Sequence, residues 1–227
     1  MSLRVLAFDV HGTLAHWPRG RVQAIDVQRL LARVGIDISY QAYEAARQSV
    51  FFIDGAKRPL ENWMDYLALL FDRLEVRVPL DVLPAVAHLY EERDDMHLFP
   101  DALPALDAAR AAGLATCAFT SLPAFMLGRA ADAILPRLDH YLDSGLIGFS
   151  KGDRRFYAEI ARRLGVRPEQ ILSVGDERLG DCDLPAEQGW HGVWLDRAGK
   201  SPSASNRIQS LSELPGIIDK LRMANSK

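Results

Sequence analysis

Four short groups of residues are suited to chemistry. Asp9, His11 and Thr13 stand in Phe8-Asp9-Val10-His11-Gly12-Thr13-Leu14, and Thr120-Ser121 follow the apolar run 114–119. Lys151 closes Gly148-Phe149-Ser150-Lys151, and Asp176 and Asp181 lie in Gly175-Asp176-Glu177-Arg178-Leu179-Gly180-Asp181. Taken singly, each has an ordinary reading. Asp9 suits the cap of a turn, Thr120 a turn hydroxyl, and Lys151 a solvated lysine. Asp176 and Asp181 are harder to dismiss, because two acids at one strand end repel unless they share a cation.

Taken together, the groups suit a phosphoryl ligand. Phosphoryl transfer needs positioning and charge neutralisation more than covalent ingenuity. Asp9 is fit to be the nucleophile, giving an aspartyl-phosphate. Thr120, with the free backbone N–H groups at the start of the next helix, is fit to bind phosphate oxygens. Lys151 adds a positive charge against phosphate and Asp9. Asp176 and Asp181 are hard oxygen donors of the kind Mg²⁺ takes, one or two carboxylates at a time.

These groups need elements that bring them to one place. The run 3–8 reads as a strand buried on both faces, as a parallel sheet requires. Runs at 114–119, 141–142, 171–174 and 192–195 read as four more strands, alternating with helical patterns at 101–112, 123–135 and 153–164. A final amphipathic helix carries Leu211, Leu214, Ile217, Ile218 and Leu221. The expected fold class is α/β, a doubly wound parallel sheet, with the chemistry at the carboxyl edge of its strands. Gly199 to Asn206 reads as a polar surface loop.

Between the first strand and the rest of the sheet the pattern is purely helical. Ile25, Leu30, Leu31 and Val34 form one apolar face, stopped by Gly35. Ser39 is placed to cap a second helix with Ala42, Tyr43, Ala46 and Val50, ended at Asp54-Gly55. Trp63, Leu67, Leu70, Phe71 and Leu74 mark a third, and Pro79 opens a fourth with Leu83, Val86, Ala87 and Tyr90. The expected division is a core of residues 1–15 and 95–227 with an inserted α-helical subdomain, residues 16–94.

Composition narrows the class. The chain has 227 residues, 48% hydrophobic and 25% charged, with a formal net charge of −3. That length builds one large domain or a domain with an insert. No basic run favours nucleic acid, and no apolar stretch approaches a membrane span of about 18 residues. Cys117 and Cys182 lack metal spacing and read as buried free thiols of a cytoplasmic protein.

The motif Phe-Asp-Val-His-Gly-Thr-Leu resembles the first motif of the haloacid dehalogenase (HAD) superfamily. Thr120-Ser121 is similar to that family's second motif, Lys151 to its third, and Gly175 to Asp181 to its fourth, with Gly189 at the family's spacing beyond. Phe99-Pro100-Asp101 and Arg167-Pro168-Glu169 are similar to further landmarks. The resemblance implies a Rossmann-like core, a helical cap inserted after the first motif, and a hydrolase. It implies Asp9 as nucleophile and metal ligand. The His11 backbone carbonyl and Asp176 would complete the Mg²⁺ site, with Asp181 a ligand or just behind the ligands.

Two positions depart from the family pattern. Lys151-Gly152-Asp153-Arg154 replaces Lys-Pro-Asp-Pro, and His11 replaces the second Asp of Asp-x-Asp-Gly-Thr. Family phosphatases use that Asp as acid and base, a contribution of about 10²–10⁴ in rate. A histidine can also move protons, or it can merely fill the space; as the working acid and base, His11 is expected to make turnover titrate near neutral pH.

Three functions are therefore weighed. The first is a Mg²⁺-dependent phosphatase of a small phosphorylated metabolite. The second is a metal-free 2-haloacid dehalogenase, whose relatives also lack the second Asp; Arg47 would then bind carboxylate or halide. The third is a non-catalytic protein that binds a ligand or partner. Asp176 favours the first. Loops around Arg19, Arg21, Phe51 and Phe52 are where specificity is expected, and the oligomeric state stays open between monomer and homodimer.

Overall fold

A computed structural model describes residues 2–200 and 206–224. The chain opens with β1 (Val5–Phe8), whose every side chain is buried. A short antiparallel ribbon follows, β2 (Ala15–His16) against β3 (His97–Leu98). Between its strands lie α1 (Ala24–Ala32), α2 (Tyr40–Ser49), α3 (Trp63–Arg73) and α4 (Leu83–Arg93). After the ribbon come α5 (Ala102–Ala111), β4 (Ala115–Thr120), α6 (Ala131–Ile134), β5 (His140–Asp143) and α7 (Ser144–Ile147). The chain ends with α8 (Arg154–Leu164), β6 (Ile171–Gly175), α9 (Leu184–Glu187), β7 (His191–Leu195), β8 (Arg207–Ile208) and α10 (Leu214–Ala224).

Six strands form one parallel sheet in the order β5-β4-β1-β6-β7-β8. β1 is central, so successive connections leave it in opposite directions and open a crevice at its carboxyl end. Side chains of β1 alternate between the two faces. Leu6 and Phe8 enter one apolar cluster, and Val5 and Ala7 enter a second with Phe119, Phe156, Tyr157 and Trp190. Register aligns the edge: Phe8 pairs with Ala118 on one side and Val174 on the other. Asp9, Thr120 and Asp176 each follow within two residues and so share one end of the sheet.

The four inserted helices are locally encoded. Ser39 accepts a hydrogen bond from the Ala42 N–H at 3.1 Å, the cap its position suggested, and Asn62 does the same for Asp65 at 3.0 Å. Their interior is aromatic: Trp63, Tyr66 and Tyr90 pack with ring centroids 5.0–5.6 Å apart. The Tyr43 and Tyr90 hydroxyls share a hydrogen bond of 2.6 Å.

Several expectations need correction. The buried face of α1 is Ala24, Val27 and Leu31, while Ile25 and Val34 are exposed. α4 starts at Leu83, because Pro79 to Val82 form a separate turn. The helix expected over 123–135 is a 3₁₀ stretch, Ala124–Ala130, leading into the single turn of α6. Gly128 breaks it with φ 54° and ψ −133°, outside helical space. The ribbon β2–β3 and the edge strand β8 are too short for a periodic signal. Of the loop 199–206, residues 201–205 lie outside the described residues. Cys117 and Cys182 are buried free thiols. Among the described residues no helix is long and apolar enough to cross a membrane.

Candidate active site

The carboxyl edge of the sheet meets the inserted helices at a cavity of about 390 Å³, within the usual size range of small-molecule pockets. Asp9, Thr120, Ser121, Lys151, Asp176 and Glu177 line its sheet side. His11, Trp17, Arg21, Arg47, Gln48 and Phe51 line the rest with Leu122 and Phe52. Every candidate site residue named from sequence lines this cavity except Thr13, Arg19 and Asp181, of which Asp181 sits just beneath it, fully buried.

Lys151 organises the floor. Its ammonium is 2.5 Å from Asp9 Oδ1 and 2.5 Å from Asp181 Oδ1, with all three side chains nearly sealed from solvent. Burial alone would lower the lysine's pKa, but the two carboxylates outweigh it and hold the ammonium charged well above its ordinary range. Tyr157 fixes the loop: its hydroxyl lies between the carbonyls of Lys151 and Gly180, donating its single proton to one of them. Asp181 Oδ2 accepts from the Glu177 N–H at 2.8 Å. Both Asp181 oxygens are thus engaged within the protein.

Asp176 completes a group of three acids: one carboxylate oxygen from each of Asp9, Asp176 and Asp181 lies within 4.8 Å of the others. Asp176 is open to the cavity, yet its carboxyl is pushed up to about 7 by desolvation and by the charges of Asp9 and Asp181. Such crowding is what a divalent cation relieves. The donor set fits Mg²⁺: Asp9 and Asp176 are the available carboxylates, and Asp181, held by Lys151 and Glu177, stands behind them.

The first-motif loop is tied down from three directions. Thr13 Oγ1 accepts from the Asp176 N–H at 3.1 Å, linking the first and fourth motifs. Gly12 adopts φ +78°, and a Cβ there would run into the Asp176 carboxylate. Only glycine lets these two segments approach so closely. Arg197 donates to the Thr13 carbonyl at 2.7 Å and makes a two-pronged pair with Asp101 at 2.9 and 3.0 Å. Asp101 also accepts from Ser210 and from the Leu211 N–H.

His11 departs from expectation. Its ring is exposed and stacks on Trp17, centroids 4.3 Å apart. Partial burial of the charged form, with Arg21, His16 and Lys151 nearby, lowers its pKa to about 4. The imidazole is therefore neutral at pH 7, and a His11 titration near neutrality is not what this environment gives. Thr120 is buried and accepts from the Leu122 N–H at 3.2 Å, fixing the turn that carries Ser121. Arg47 reaches the cavity while paired with Glu44 at 2.6 Å.

Sequence reasoning gave no role to Trp17 and Glu177, which line the cavity, or to Tyr157 and Arg197, which position its loops, and it named Thr13 and Asp101 without the contacts they make. The long-range pairs have no sequence periodicity to announce them. Tyr157 had a signal, six residues beyond Lys151 on a helix whose inward face was otherwise read correctly at Phe156 and Ile160.

A parallel sheet with carboxylates, a lysine and hydroxyls gathered at the end of its central strand is the architecture of an α/β hydrolytic enzyme. A family model for haloacid dehalogenase-like hydrolases matches residues 3–182, and the chain belongs to that family. It is 25% identical over 233 residues to (S)-2-haloacid dehalogenase 1 of Pseudomonas sp. (strain CBS-3), covering 96% of this chain and 98% of that protein. It is 32% identical over 133 residues to the phosphoserine phosphatase of Thermus thermophilus, covering 55% of this chain and 53% of that protein. The fold matches the crystal structure of a 2-haloacid dehalogenase from Pseudomonas syringae pv. Tomato DC3000 with TM-score 0.70 at 20% identity, covering 96% of this chain and 99% of that one.

Proposed function

We propose that this hydrolase is a Mg²⁺-dependent phosphatase of a small phosphorylated metabolite. The observation that carries the reading is the group of Asp9, Asp176 and Asp181, with one oxygen of each within 4.8 Å of the others. Asp9 and Asp176, with the His11 backbone carbonyl, would hold the ion. When bound, Mg²⁺ offsets the charge of these acids and of the phosphoryl oxygens.

Asp9 then acts as nucleophile. Its carboxylate attacks phosphorus, the P–O bond to the leaving group breaks, and the departing oxygen takes up a proton from water in the cavity. Water attacks the aspartyl-phosphate at phosphorus, releasing inorganic phosphate and restoring Asp9. Lys151 holds Asp9 in place and supplies positive charge beside the transferring group. Thr120 and Ser121 sit where their turn can meet the phosphate oxygens.

A second reading is a 2-haloacid dehalogenase, in which Asp9 attacks the halogen-bearing carbon. The similarity to a curated dehalogenase over 96% of this chain favours it, together with the aromatic His11 in place of the second acid. One assay separates the two readings. Phosphate and halide release are measured on panels of phosphomonoesters and 2-haloacids, with Mg²⁺ and with EDTA. Phosphate release abolished by EDTA is expected. Halide release that persists in EDTA would overturn the phosphatase reading in favour of the second. A protein that only binds ligand would release neither.

A further inference from the structure

We propose that Arg21 receives a carboxylate at the end of the substrate farthest from the phosphoryl group, so that the substrate is a small phosphorylated carboxylic acid. The inference rests on the phosphatase reading.

The cavity's two walls differ in charge. The sheet side carries Asp9, Asp176 and Glu177 around Lys151, and the helical side carries Arg21 and Arg47. The acids and lysine suit the reacting group. The arginines, on the opposite wall, suit a second anion that takes no part in bond breaking.

Arg21 is built as a receptor. Its guanidinium carbon lies 4.6 Å from the centroid of Trp17 and 4.3 Å from that of Phe51. Both rings pack against the guanidinium and hold it at the cavity wall. Nε faces Asp94 Oδ2 at 3.3 Å, while Nη2 is sealed from solvent and has no hydrogen-bond partner. A buried N–H without an acceptor is rare and costly, so a shift of Arg21 toward a ligand oxygen in the cavity it lines would be favoured. Asp94 is itself fixed, its Oδ1 accepting from the Val22 N–H at 2.7 Å. Trp17 is fixed in turn, its indole N–H donating to the Asp94 carbonyl at 2.9 Å. Asp94 and Trp17 are thus positioning residues for Arg21.

The chemistry selects the ligand. A guanidinium edge matches the planar, two-oxygen geometry of a carboxylate. Asp94 already offsets part of the Arg21 charge, which leaves demand for one further negative charge and disfavours a dianionic phosphate at this end. Arg47 adds a second guanidinium, though Glu44 holds it at Nε and Nη2. A cavity of about 390 Å³ limits the acid to a few carbons.

The test compares kcat and KM for phosphate release from 2-phosphoglycolate and 3-phosphoglycerate against ethyl phosphate and glycerol 3-phosphate. Wild type should favour the carboxylate-bearing esters in kcat/KM by about tenfold or more, through KM, the worth of a charge-assisted hydrogen bond. Arg21→Gln should erase that ratio, and Arg21→Lys, which keeps the charge, should restore part of it. In the Asp9→Asn protein, calorimetry should find phosphonoacetate bound about tenfold tighter than ethylphosphonate, a difference lost with Arg21→Gln. Equal kcat/KM for both classes of ester, or a preference unmoved by Arg21→Gln, would overturn the Arg21 assignment and leave the phosphatase reading intact. Phosphate release from neither class would overturn the phosphatase reading. Malonate titration then decides Arg21 separately: binding weakened about tenfold by Arg21→Gln upholds a carboxylate receptor, and unchanged binding removes it.

Discussion

The Lys151 ammonium bridges Asp9 and Asp181, 2.5 Å from an oxygen of each, although 142 residues separate Lys151 from Asp9. Such a bridge does two things. It holds the nucleophile at the end of β1, and it neutralises acids that burial would otherwise make untenable. Lys151→Met should therefore abolish turnover and also destabilise the fold by about 3–5 kcal/mol, the cost of leaving buried charge uncompensated. Urea denaturation followed by circular dichroism measures the second effect. A Met variant as stable as wild type would show that the bridge contributes little.

Asp9→Asn keeps size and most contacts but removes the nucleophilic oxygen. Phosphate release should fall below detection while the protein stays folded. Rapid quenching of wild type with labelled substrate should place the adduct on Asp9. Asp176→Asn should retain that nucleophile and weaken the Mg²⁺ requirement's midpoint by at least about tenfold, a typical loss for one ligand or its immediate support. An unchanged Mg²⁺ dependence would remove Asp176 from the ion site.

His11 is neutral at pH 7 in this environment, so its ring is a poor acid for the leaving group. His11→Asp supplies a group that can. Its phosphatase kcat should rise about tenfold or more, at the low end of general acid–base contributions. His11→Ala should change the rate much less, and the pH profile of wild type between 6 and 8 should not depend on His11. A large loss in His11→Ala would restore the histidine to the catalytic step.

Asp101 gives a pH-dependent term in stability. Partial burial acts to raise its pKa, but Arg197, the Leu211 N–H and Ser210 outweigh it and lower it below the ordinary carboxyl value of 3.8. A depressed carboxyl stabilises the fold above its unfolded value, and that stability is lost as pH falls below about 4. Asp101→Asn should cost about 2 kcal/mol at pH 7, the worth of hydrogen bonds to a charged acceptor, and should flatten the acid side of the stability curve. It should also lower kcat, because Arg197 loses its partner and with it the hold on the Thr13 carbonyl. An unchanged acid limb would refute the assignment.

Much of this arrangement is legible in the chain. The strand ends carrying Asp9, Thr120 and Asp176 follow apolar runs, and a parallel sheet puts such ends on one edge whatever the loops do. Lys151 was named for the charge it adds against Asp9, and Asp181 as the second acid of the segment after the 171–174 run; the structure brings both to Asp9. What stayed hidden lacks a local pattern. Arg197 meets Asp101 from 96 residues away. Ile25 fits an amphipathic spacing on α1 but is 49% exposed, because smaller Ala24 and Val27 take the inward face. His11 was expected to titrate near neutrality because a histidine's ordinary pKa lies there; the desolvation and the Arg21 and His16 charges that lower it come from the fold.

One apolar cluster runs without a break from Leu6 and Phe8 of the sheet to Leu67 and Tyr90 of the inserted helices, with Trp63 set edge-on against Phe125 where the two parts meet, centroids 5.1 Å apart. The aromatic interior of the insert is therefore continuous with that of the sheet, and the two should melt together. Heating should give a single calorimetric endotherm with matching van't Hoff and calorimetric enthalpies, and proteolysis at the ribbon should not release a folded fragment. For protein engineering this means that specificity cannot be exchanged by grafting another member's helices onto this sheet unless the shared interior is grafted with them.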